Sequence, residues 1–111
     1  MTKLLAGAFL LLFSFAAAAQ TPDQSGPWIQ AAAIGTIEDN GIKDAANMGA
    51  AMAPAAYSTL RAHFEETGRA PDFYDLIVTG DLGSLGKEIV LDFFRQDGVS
   101  LGPCYDDCGV L

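Results

Sequence analysis

Asp75-Leu76-Ile77-Val78-Thr79 is a short apolar run that leads straight into Gly80-Asp81-Leu82-Gly83-Ser84-Leu85-Gly86. A glycine-rich turn between a strand and a helix is where α/β proteins hold phosphates or reacting groups. The backbone can approach a ligand closely there, and the helix that follows offers its free N–H groups. The spacing is G-x-x-G-x-x-G, not the G-x-G-x-x-G of dinucleotide sites, and Lys87 is followed by Glu88 where a Walker loop needs Ser or Thr. Asp81 would also repel an anion at that helix end. The segment therefore reads as a tight turn with close backbone packing, not a nucleotide site. Thr79 and Asp81, at the C-terminal end of a strand expected to be parallel, are the two positions expected to face a ligand.

The other reactive side chains are few. His63 is the lone histidine, and His63-Phe64-Glu65-Glu66 is not an H-E-x-x-H zinc motif, so a solvent-facing helix residue is expected. Cys104 and Cys108 are separated by Tyr105-Asp106-Asp107. They could close a small disulfide, share a metal with ligands from elsewhere, or sit buried as small apolar groups. An extended chain over that spacing would hold the sulfurs too far apart for a bridge, so buried thiols are expected. No Ser-His-Asp set, nucleophile elbow or flanked catalytic cysteine is present. No catalytic residue, cofactor or metal site is expected.

The elements that position these residues follow from periodicity. Ile29 to Ile37 reads as a strand, with Ile29, Ala31 and Ala33 alternating, and Asp39-Asn40-Gly41 is a turn signal. Gly49, Ala50, Ala51 and Ala53 form a small-residue segment that lets a helix approach its neighbour closely. Pro54 suits the first turn of a helix better than its interior. From there Ala56, Tyr57, Leu60 and Phe64 recur at helical spacing up to a stop at Gly68. A strand over Asp75 to Thr79 follows. A second helix then runs from an N-cap at Ser84 through Leu85, Ile89, Val90, Phe93 and Phe94 to Gly98. Strand, helix, strand, helix with short connections predicts an α/β chain with parallel pairing.

At 111 residues, half of them hydrophobic, the chain is at most one small domain or a piece of a larger one. Six Lys+Arg against fourteen Asp+Glu give a formal charge of −8, which argues against nucleic acid or anionic lipid as a partner. Residues 1–19 have the layout of a secretory leader: Lys3, an apolar block from Leu4 to Phe15, and Ala17-Ala18-Ala19 before Gln20. That block is shorter than the roughly 20 residues a membrane span needs. Residues 20–28 read as a breaker-rich linker, and residues 29–111 as a partial α/β domain.

Ala33-Ile34-Gly35, the run from Gly41 to Ala56 with its Met48-Gly49-Ala50-Ala51-Met52-Ala53-Pro54 core, Val78-Thr79-Gly80-Asp81-Leu82-Gly83, and Tyr105-Asp106-Asp107-Cys108-Gly109 together resemble the stage V sporulation protein AD family. The resemblance covers about residues 30 to 111. It implies a thiolase-like fold, mixed or parallel sheets with packing helices, of which this chain supplies only part of the second half. It further implies a role in moving dipicolinic acid, as its calcium complex, into the developing spore. That work is done with the other SpoVA membrane proteins at the spore inner membrane. In condensing enzymes of that fold a catalytic His follows the strand matching Asp75 to Thr79. This chain has Gly80-Asp81 there, which implies binding and not acyl transfer. The leader departs from the family pattern and is expected to be a misread stretch before a gene fragment.

Two other readings stay open at this point. One is a small exported structural protein with a Cys104–Cys108 bridge and no ligand. The other is a degenerate acyl-condensing enzyme that uses Cys104 or Cys108 as nucleophile.

Overall fold

A computed structural model describes Gly26, Pro27 and residues 29–110. The leader expected over residues 1–19 lies outside them. The chain divides into two compact units, Met1–Ala32 and Ala33–Leu111. The described residues of the first carry no helix or strand. All regular structure among the described residues belongs to the second.

Helix α1 spans Met48–Thr67 and ends at Gly68, whose φ of 67° is the left-handed stop the sequence predicts. Its start differs from expectation. The helix begins six residues before Pro54, which sits in the interior and leaves the Ala50 carbonyl without a helical N–H partner. Packing explains why that turn survives. Gly49 meets the backbone of the second helix, where a Cβ would collide with the Leu82 carbonyl oxygen, and Ala53 on the same face is fully buried.

Strand β1 is Ile77–Thr79 and helix α2 is Gly83–Gln96. Gly86, Val90 and Phe94, spaced four apart, are the buried positions of α2. Its C-terminus closes through Val99, whose N–H donates to the Phe94 carbonyl at 2.9 Å. Strand β2 is Tyr105–Asp107 and pairs with β1 in parallel, Ile77 opposite Tyr105 and Thr79 opposite Asp107. Strand β1, helix α2 and strand β2 thus form a βαβ unit, with α1 packed on α2.

The core consists of Ala53, Ile77, Leu82, Val90, Phe94, Leu101 and Tyr105, with Tyr57, Leu60 and Phe64 of α1 packed against it. Removing a side chain the size of Leu101 or Val90 from water contributes about 1.5–3 kcal/mol each. The chain is the partial α/β fold expected, with parallel pairing, but the partner of β1 is Tyr105–Asp107. The strand expected over Ile29 to Ile37 does not form. No neighbour hydrogen-bonds its backbone in a ladder, and Ile34 and Ile37 stay exposed. The turn expected at Asp39-Asn40-Gly41 does not form as a turn: the Gly41 N–H donates to the Asp39 carboxylate at 2.9 Å in irregular backbone, and the turn lies at Ala45-Ala46, closed by the Asn47 N–H donating to the Asp44 carbonyl at 2.9 Å.

Candidate functional site

The turn after β1 is built around a residue 24 to 28 positions downstream of the groups it binds there. Asp107, at the end of β2, is fully buried. Its Oδ1 accepts from the Thr79 hydroxyl at 2.6 Å and the Leu82 N–H at 3.0 Å. Its Oδ2 accepts from the N–H groups of Gly83 and Gly109, both at 2.9 Å. Two donors on each oxygen saturate the carboxylate. Because the Thr79 proton goes to Asp107, the Tyr105 hydroxyl donates to Thr79 Oγ1 at 3.0 Å, completing a buried relay Tyr105–Thr79–Asp107.

This cradle replaces the expected cap. Ser84 lies inside the first turn of α2, Leu82 takes the N-cap position, and no side chain of the helix caps it. The Asp107 carboxylate does so from another element, where the helix dipole also favours a negative charge. Burial pushes the Asp107 carboxyl up. The hydrogen bonds from Thr79 and from the N–H groups of Leu82, Gly109 and Gly83 outweigh burial and hold it below the usual carboxylate range.

Asp106 points the other way along β2. Lys87 Nζ donates to its Oδ1 at 2.9 Å, and this contact, helped by the Asp107 N–H, keeps Asp106 below its ordinary value. Burial pushes the Tyr105 phenol up.

Two left-handed positions, Asp81 and Gly83, make the turn tight. Asp81 has φ 59°, the left-handed region that non-glycine residues seldom occupy, and Gly83 follows at φ 76°. A Cβ on Gly109 would collide with Asp81 Oδ1, so a larger residue there would push that exposed side chain aside. Of the two residues expected to face a ligand, Thr79 is buried with its hydroxyl engaged by Asp107 and Tyr105, whereas Asp81 is exposed at the turn. They share one end of the sheet.

The remaining reactive groups stand elsewhere. His63 is not solvent-facing as expected. It is half-buried, with Nε2 2.5 Å from the Tyr74 hydroxyl, because the 70–74 segment folds back on the last turns of α1. Cys104 is half-buried and its S–H reaches the Leu101 carbonyl at 3.1 Å. Cys108 is exposed, against the expectation of burial, since β2 ends at Asp107 and the chain turns outward. Both thiols are free. Among the described residues no group of three His, Cys, Asp or Glu could hold a metal ion, and no histidine bonds a cysteine or carboxylate.

What the sequence reading missed is Asp107 itself, with Tyr105 and Lys87. The available signal was the Tyr105-x-Asp107 alternation, which puts both side chains on the inner face of a strand.

The family model for stage V sporulation protein AD matches residues 6–111, nearly the whole chain. The chain belongs to that family. It is 48% identical over 83 residues to the stage V sporulation protein AD of Bacillus subtilis (strain 168). The match takes in 75% of this chain and 25% of that relative, so the chain spans about a quarter of the relative's length. The turn and the Asp107 cradle lie within the residues matched by the family model. Among the described residues no helix is long and apolar enough to cross a membrane.

Proposed function

We propose that this chain is a non-catalytic module of the stage V sporulation protein AD type. It takes part in binding dipicolinic acid, as its calcium complex, and in its uptake into the developing spore. Its partners in this reading are the other SpoVA membrane proteins, and its place is the spore inner membrane of the forespore. Family membership supports the sporulation role, and the Asp107 cradle supports the absence of chemistry. A carboxylate with two donors on each oxygen has no lone pair left to take a substrate proton. The turn that would carry a catalytic histidine has Gly80-Asp81, and His63 is engaged with Tyr74.

Thr79 and Asp81 are the positions assigned to the ligand in this reading. A chain of net −8 repels free dipicolinate, a dianion, but not its neutral calcium complex. Calcium takes about six to eight oxygen ligands. An exposed carboxylate such as Asp81 can add one to those dipicolinate supplies. Calorimetric titration with calcium dipicolinate tests the assignment: binding is expected, weakened by Asp81→Asn. No binding by the intact chain, or measurable acyl-CoA thiolysis, would overturn it.

A further inference from the structure

The irregular segment after Ala32 runs against α1, so closely that a Cβ on Gly35 would collide with the Thr59 hydroxyl. A groove of about 460 Å³ lies between them. Glu38 and Asn40 line it from the segment, Tyr57 and Ser58 from α1, and Phe93 from α2. The volume falls in the range of small-molecule sites, roughly 300–1,000 Å³. None of these residues belongs to the Asp107 cradle.

The charges in the groove are unequally engaged. Arg61 and Glu65, which also line it, pair with each other at 2.9 Å, and the Tyr57 hydroxyl donates to Asp97. Glu38 makes no ion pair among the described residues. The Thr36 hydroxyl donates to its Oε1 at 3.1 Å, which leaves Oε2 for a ligand. Beside it the Tyr57 and Phe93 rings stand 5.2 Å apart, inclined at 51°, and offer apolar surface and electron-rich faces.

We infer that this groove binds a primary aliphatic amine in its ammonium form. An ammonium carries three donors. Glu38 Oε2 takes the charge, the Asn40 carbonyl and the Ser58 hydroxyl are acceptors beside it, and Tyr57 and Phe93 cover the alkyl chain. The net charge of −8 acts in the same direction, drawing cations to the surface. The inference rests on this groove and does not depend on the dipicolinate reading.

The test is a titration of the full chain with n-pentylammonium chloride at neutral pH and low salt, followed by amide shifts. Saturable shifts centred on Glu38, Ser58 and Phe93 are expected. Affinity should exceed that for methylammonium about tenfold, because the longer chain buries more CH₂ groups. It should fall about fivefold in Glu38→Gln, which removes the ion pair. Glu66→Gln makes the same charge change at an exposed residue of α1 outside the groove and should leave affinity unchanged. The spectrum of each variant shows whether it is folded. No saturable shift, shifts centred elsewhere, or equal affinity for methylammonium would each overturn the inference. So would an equal loss in Glu66→Gln, or equal binding of neutral 1-pentanol, which would leave an apolar crevice with no preference for a cation.

Discussion

The Thr79 hydroxyl donates to the Asp107 carboxylate at 2.6 Å, across a parallel strand pair in which the two residues stand directly opposite each other. That one contact joins the end of β1, the end of β2 and, through the N–H groups of Leu82 and Gly83, the start of α2. The turn after β1 is therefore held by a structural carboxylate, and Asp81 is its exposed acid.

Asp107→Asn should destabilise the chain far more than its size suggests. An amide NH₂ in place of one oxygen must face two donors, either the Leu82 N–H and the Thr79 O–H or the Gly83 and Gly109 N–H groups. The expected loss is roughly 3 kcal/mol, from buried donors left unpaired. Urea unfolding measures it. A loss within 0.5 kcal/mol, about that of an ordinary surface change, would show that the cradle is not what holds the turn.

Stability should also fall in acid. Asp107 and Asp106 are both held below their ordinary pKa in the folded chain. Their contribution is thus fully present above the unfolded carboxylate value of about 3.9 and is lost as pH falls from there through the folded values. Melting temperature against pH should be flat between about pH 5 and 7 and drop below about 4, with a smaller drop in Asp107→Asn. An identical acid drop in that variant would remove Asp107 from the account.

Gly86→Ala should separate the helices. Its new Cβ would lie 2.6 Å from the Leu82 Cβ and 3.1 Å from the Gly49 Cα, a backbone atom that cannot move aside. Overpacking of this kind costs about 1–3 kcal/mol, against at most about 1 kcal/mol gained in helix propensity. A net loss in thermal melting is expected; a raised melting temperature would mean that α1 is not seated on α2 at this point.

Alkylation should distinguish the two thiols. Iodoacetamide on the folded chain is expected to label exposed Cys108 quickly and Cys104, half-buried against the Leu101 carbonyl, slowly. Peptide mass spectrometry over a time course reads both rates. Equal rates, or no labelling before reduction, would contradict this arrangement of free thiols.

Much of the local structure was legible in the residues themselves. The Tyr57, Leu60, Phe64 face and the Gly68 stop of α1 follow from helical spacing and the ease with which glycine takes a positive φ, and both are present. The strand before Gly80 likewise rests on a short apolar run that ends in a glycine-rich turn, and the Val90–Phe94 face of α2 on a period of about 3.6 residues. These are properties of neighbours in sequence, so the sequence by itself determined them.

Tertiary structure decided the rest, because the deciding contacts join residues far apart in the chain. Pro54 marks a helix start by its own chemistry, yet α1 begins at Met48 because Gly49 and Ala53 pack inward. Ser84 is a good cap by type, but Asp107 caps from 24 residues away. Ile29 to Ile37 has strand periodicity without a partner ladder, and a strand exists only where another backbone accepts its hydrogen bonds. Three-residue β1 found that partner in Tyr105–Asp107, and with it came the buried carboxylate on which the site is built.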